Sequence, residues 1–353
     1  MKRKFYLLME LLISNQTTSR TESILFMGIF YLQLISGFFA KQIEVFDTSS
    51  TSDKILNYIE KIVRLKDLFL DNYSAFKLSI YLLFGLVVAF SLFFIIVCYN
   101  TEKNSFYTWS EILLNFYIKV YIYIGFNIIL DLTLTNLCFE KDDKNLNFPE
   151  ASCKISDILA LFIISMILLA ISLFFVFFIQ FFYCDSLYLS TSYYAKISCN
   201  YELYMNINCI FYSVFLIFAK YLSKEIFLIY NAIISIVFLN FYFKRYLFYD
   251  RITNILAGLF HVLYTWTSLF FLIFAYIDFN EKGIIYIVSS VIVLYFYFNL
   301  KSKVEENILL NTPFYKISNK YYLLYYIKNK LFNFFFDILL LVVIFLELFD
   351  QSL

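Results

Sequence analysis

Eight long apolar runs divide the chain, at roughly residues 22–40, 78–98, 111–137, 158–183, 205–221, 225–243, 254–277 and 284–299. Charged and polar residues gather between them. At ~1.5 Å per residue each run is long enough to cross a hydrocarbon core of ~30 Å, the shortest only just. Lipid offers no partner to a backbone N–H or C=O, so each run must satisfy its own backbone as an α-helix. The pattern predicts an all-α polytopic transmembrane helical bundle of about eight spans, embedded in a lipid bilayer. A further apolar stretch, 331–348, contains Asp337 and Glu347. It is either a ninth helix or the end of a truncated reading frame. Three regions follow: a short basic N-terminus over 1–21, the bundle over 22–300, and a tail over 301–353.

Composition sharpens the membrane reading. Apolar residues make up 62% of the chain and aromatic ones 23%, more than one soluble core of this size encloses. The 46 Phe and 32 Tyr match the codon supply of an AT-rich genome and are not read as a functional signature. Both prolines, Pro149 and Pro313, fall outside the apolar runs, so no span carries a proline kink. Broken, Gly- and Pro-marked helices are a common transporter signature. Their absence, with that of any GxxxG motif, lowers the case for a secondary transporter.

Charge sets an expected orientation. With the N-terminus cytoplasmic, the inner segments hold Lys2, Arg3, Lys4, Arg20, Lys103, Lys196, Lys244, Arg245 and Arg251, and then Lys301 and Lys303. The outer loops are slightly acidic, which favours this orientation by the positive-inside rule. Loop 41–77 is the exception, with six basic residues on the outer side. Within it Ile55, Ile59, Ile62, Val63 and Leu65–Phe69 recur at near-helical spacing, predicting an amphipathic helix on the outer membrane surface. The inner loop Lys244–Arg251 would meet anionic headgroups or a cytoplasmic partner. The start, Lys2–Lys4 and Phe5–Ile13, is not read as a cleaved leader, because Glu10 interrupts its apolar part.

Few residues suggest chemistry. The third span has the most unusual pattern: Asn115, Lys119, Tyr123, Asn127, Asp131 and Thr135 follow one another every four residues. Such steps keep neighbours on one face with slow drift, giving a polar stripe down an apolar helix. One reading makes the stripe the lining of an ion or ligand path. The other has Lys119 and Asp131 snorkel towards opposite interfaces while Asn127 bonds to another helix. His261, one-third into the seventh span, is either a titratable gate or a satisfied interhelical partner. Cys138 and Cys153 bracket the polar loop Glu140–Ser152 on the expected outer side, where disulfides persist, and are a candidate bridge. No CxxC or Cys/His metal spacing occurs, and no nucleophile beside a base is visible. No enzyme activity, cofactor, metal or nucleic-acid partner is expected.

Several segments resemble the N-terminal membrane region of the TmcB-like family, multi-pass membrane proteins of unicellular eukaryotes. Leu32-Gln33-Leu34-Ile35-Ser36 resembles its opening helix, and Tyr123–Cys138, with Asp131, its third span. Phe181–Glu202 is similar to its polar inner loop, Tyr264-Thr265-Trp266-Thr267-Ser268 to a later span, and Asn299–Leu310 to its basic exit. The resemblance implies sensing or signalling, in a plasma membrane or endomembrane, with a cytoplasmic partner or an oligomer. It assigns no catalytic residue. The sequence thus suggests a non-catalytic sensory membrane module. The alternatives are a channel or transporter using the third-span stripe and an accessory subunit of a membrane complex.

Overall fold

Leu, Ile, Val and Phe dominate every run, and in lipid such a run has no low-energy alternative to helix. The computed structural model describes chiefly residues 19–40, 72–100, 108–136, 155–182, 200–219, 223–244, 250–277 and 282–311, with a few positions between. The helices are α1 (Arg20–Ser36), continued by a 3₁₀ turn at Gly37–Phe39, and α2 (Tyr73–Asn100). The third span is α3 (Thr108–Val120), a π-turn at Tyr121–Gly125, and α4 (Phe126–Thr135). Then come α5 (Ile155–Phe182), α6 (Asn200–Phe218), α7 (Lys224–Lys244), α8 (Arg251–Phe274) and α9 (Lys282–Asn311). Eight segments are long and apolar enough to cross a membrane, as the sequence predicts. Among the described residues the only strand pairing is a two-residue hairpin, with Glu140 opposite Asn145 and Lys141 opposite Lys144.

Every span begins ahead of its apolar limit, whereas the ends fall on either side of it. α2 begins at Tyr73 rather than 78, and α6 at Asn200 rather than 205. Polar residues do not stop a helix when a cap or the bundle satisfies them. Asn72 Oδ1 accepts from the Ser74 and Ala75 amides at 3.0 and 3.3 Å, serving the unpaired first turn of α2. α9 likewise runs through residue 300 to Asn311. In loop 41–77, Lys54–Leu56, Tyr58 and Val63 are helical; Leu56 is buried while Ile55 and Tyr58 are exposed. The rest of that helix, Cys138, Cys153 and the stretch 331–348 lie outside the described residues. Leu8 and Leu12 are buried against Phe90 and Phe94 of α2 and Leu114 and Ile118 of α3.

Residue pairing gives the helix directions. Phe26 meets Phe116, and Gln33 meets Asn127, so α1 and the third span run parallel. Asp131 meets Ser213 and Tyr123 meets Glu202, so α6 runs parallel to both. α8 packs on α1, α7 and α9, while α2 and α5 pack beside the third span. α1 and α8 are the most enclosed spans, and α2 and α5 present most of their surface outward. The core sits between the 3₁₀ turn after α1 and helices α6, α7 and α8, where Phe38, Tyr212, Phe227, Tyr264 and Phe271 interlock ring to ring.

Two glycines let the central helices close. A Cβ at Gly28 of α1 would stand 3.3 Å from the Phe260 ring of α8. At Gly258 of α8 a Cβ would overlap the hydroxyls of Tyr242 (α7) and Tyr297 (α9). Those hydroxyls donate to the Asn254 carbonyl at 2.6 Å and the Ile255 carbonyl at 3.0 Å, so three helices meet over one missing side chain. Gly85 of α2 has nothing within 4 Å of a built Cβ. Gly258→Ala should therefore cost about 1–3 kcal/mol by overpacking. Gly85→Ala should be neutral or stabilise by up to about 1 kcal/mol through helix propensity. Paired thermal melts of the two variants in one detergent check the contrast.

Candidate functional site

A stripe of residues every four positions cannot stay on one face of a regular α-helix indefinitely. At 100° per residue each four-residue step overshoots a turn by ~40°, so the five steps from Asn115 to Thr135 would swing the stripe by ~200°. Nevertheless Asn115, Lys119, Asn127, Asp131 and Thr135 are all buried, Lys119 at 9% exposure and Asp131 at 3%. The π-turn reconciles the two facts. Between Lys119 and Asn127 the ladder widens, and the Phe126 amide donates to the Tyr121 carbonyl five residues back. That accommodates one extra residue and takes back ~100° of rotation. No proline is involved, and Gly125 is the only helix-weakening residue in the turn.

Opposite the turn stands Gln33 of α1. Its Nε2 donates to the Ile124 carbonyl at 3.3 Å, and its Oε1 accepts from Asn127 Nδ2 at 2.9 Å. One buried amide thus serves both a backbone carbonyl inside the turn and the side chain just beyond it. A buried polar group left without a partner costs several kcal/mol in lipid, which is what holds α1 to the third span. One turn further along, Ser213 Oγ of α6 donates to Asp131 Oδ1 at 2.9 Å. Tyr212 donates to the Leu34 carbonyl of α1. The Thr133 and Thr135 hydroxyls return to carbonyls of their own helix, Ile129 at 2.6 Å and Asp131 at 2.5 Å. Gln33, Leu34, Val63, Asn127, Ile128, Asp131, Tyr212 and Ser213 line a small cavity of about 10 Å³.

Towards the start of α1 the seam becomes charged. Buried Lys119 lies on this part of the third span, and Tyr123 donates to Glu202 of α6. At the rim, Ser19 and Glu22 form a capping box of two 3.2 Å hydrogen bonds. Asp250 caps α8 through the Thr253 amide and hydroxyl, both at 2.8 Å, and accepts from Arg20 Nη2 at 3.1 Å. Burial alone would raise the Asp250 pKa; the Thr253 and Arg20 contacts outweigh it and hold the carboxyl below its usual value.

His261 lies outside the stripe, in a second polar cluster. Tyr31 Oη is 2.7 Å from its Nε2 and 3.0 Å from Tyr201 Oη, and Tyr201 Oη also bonds Nε2. Phe260 stacks on Tyr31 with ring centroids 5.6 Å apart. The cluster ties α1, α6 and α8, so this histidine is an interhelical partner. The same logic links Asn208, Tyr230, Asn231 and Tyr264. Tyr230 donates to Asn208 at 2.8 Å and Tyr264 to Asn231 at 2.6 Å, joining α6, α7 and α8. Cys98 and Cys209 are buried thiols. Among the described residues no three His, Cys, Asp or Glu side chains gather to hold a metal.

The structure thus brings Asn127 and Asp131 into one pocket, and places Lys119 and Tyr123 in the charged part of the seam. Gln33, Ser213 and Glu202 complete the seam, and Tyr31 and Tyr201 the His261 cluster; none of them was singled out by the sequence pattern. No family model, curated protein or solved structure matches this chain. The Gln33–Asn127 contact should show a coupling energy of about 0.6–2 kcal/mol, the range of hydrogen bonds between membrane helices. A double-mutant cycle of Gln33→Leu and Asn127→Leu, followed by denaturation in mixed micelles, measures it. Additive effects would mean that the pair contributes nothing to the α1–third span contact.

Proposed function

We propose that this multi-pass membrane protein is a non-catalytic sensing or signalling module that works by moving the third span against α1 and α6. The observation that carries the reading is the π-turn at Tyr121–Gly125, bridged by Gln33. A π-turn is one residue in excess of an α-helix and moves along a helix by exchanging hydrogen bonds. Moving it by one residue turns the intervening segment ~100° and changes which stripe residue faces Gln33, a two-state element of the kind switching requires. The TmcB-like resemblance points the same way. In this reading the N-terminus is cytoplasmic, and the output passes to a cytoplasmic protein or to a second copy through the inner segments.

The rival is conduction of an ion or solute along the stripe, favoured by the burial of Lys119 and Asp131 within one helix face. Against it stands the cavity beside Asp131, whose 10 Å³ admits about one water.

Spin labels on exposed Leu25 of α1 and Ile112 of α3 separate one-state from two-state behaviour in bilayers. Two populated distances, with the ratio shifted by Asn127→Leu, are expected; one narrow distance in both proteins would contradict the proposal. Flux into liposomes that disappears on Asp131→Asn would move the assignment to the rival.

A further inference from the structure

Asn206 of α6 is a buried amide that takes no part in the seam. It is 2% exposed, and its Nδ2 has no hydrogen-bond partner among the described residues. Two contacts of the same helix fix where it stands. Glu202 accepts from Tyr123 and Ser213 donates to Asp131, so the face of α6 that carries these two residues looks onto the third span. At 100° per residue Asn206 lies ~20° from Ser213 and ~40° from Glu202, on that same face. Along the axis it lies ~6 Å beyond Glu202 and ~10 Å short of Ser213. Between the two contacts its level falls opposite Phe126, where the π-turn gives way to α4. Gln33 serves the same stretch from α1, through the Ile124 carbonyl and Asn127. Two amides on two helices thus flank one wide turn, and only Gln33 is engaged with it.

A buried N–H without a partner costs free energy in lipid and returns nothing in the present register. It gains a use if the turn moves. A wide turn makes one hydrogen bond fewer than the α-turns around it, so a carbonyl at its edge needs a donor from outside the helix. Displacing the turn towards α4 carries that need to the carbonyls around Phe126, level with Asn206. We propose that Asn206 is the catch of the displaced register. Its Nδ2 donates to the third-span carbonyl uncovered when the turn moves towards α4, as Gln33 donates to Ile124 in the present one. Gln33 and Asn206 then hold two positions of one turn, each from its own helix. The inference rests on the third span being a switch, and it names what holds the second state.

The test uses the full chain in nanodiscs, spin-labelled at Leu25 and Ile112, and compares the ratio of the two distances in wild type, Asn206→Leu and Gln33→Leu. Asn206→Leu should lower the displaced population about 3- to 30-fold, the weight of one hydrogen bond between membrane helices, and Gln33→Leu should raise it. The melting temperature of Asn206→Leu should be unchanged or higher, because no bond of the present register is lost. Should leucine not be accommodated, Asn206→Ala carries the same ratio. Two distances whose ratio ignores both Asn206 variants would overturn the catch and leave the switch standing. A single distance in wild type would remove the switch, and the catch with it. A melting temperature lowered by Asn206→Leu at an unchanged ratio would also overturn the catch, the amide then serving the present register.

Discussion

Inside a bilayer a polar side chain has no water to fall back on, and that constraint shapes this bundle more than apolar packing does. Lipid is as apolar as leucine, so apolar surface alone gives the helices little reason to associate. What selects one arrangement is that Gln33, Lys119, Asn127, Asp131, Glu202, Ser213 and His261 must all find partners inside the protein. They find them on α1, the third span, α6 and α8, and those are the spans most enclosed. α2 and α5 carry few such groups within their apolar stretches and stay on the outside, facing lipid.

The third span shows how far the constraint reaches into the backbone. A stripe spaced every four residues conflicts with a repeat of 3.6, and the conflict grows with length. The chain resolves it with one wide turn rather than with a proline, and the Gln33 side chain supports a carbonyl within that turn. The polar seam and the helix irregularity are thus one feature: without the turn, Asn127 and Asp131 would rotate away from Gln33 and Ser213. A turn held by a side chain on another helix is also the place where this span is easiest to rearrange.

Span number and helical class were legible because both depend only on the length of apolar runs, which pairing cannot alter. Boundaries were less so, since apolar counting stops at the first polar residue while Asn72 and Asp250 carry helices past it. The Ser19–Glu22 capping box, which starts α1 at Arg20, lies ahead of the apolar run and was not read from it. The stripe was legible from its spacing. Its partners were not: Ser213 and Glu202 lie some eighty residues on, and no periodicity encodes which distant helix arrives opposite. Tyr31 and Tyr201 were hidden by abundance, two of 32 tyrosines, identifiable only through their shared neighbour His261. Of the interactions expected for the stripe, the bond of Asn127 to another helix is made with Gln33 of α1, and Asp131 accepts from Ser213 of α6.

The wide turn should be the locally weakest backbone in an otherwise continuous span. Backbone amide hydrogen exchange of the full chain in nanodiscs, resolved to single residues along 115–135, tests this most directly. Amides from Tyr121 to Phe126 should exchange at least tenfold faster than those of Ile118 and Ile129 on either side. Uniform protection across the span would mean a regular helix, and with it a stripe that cannot face one seam from Asn115 to Thr135.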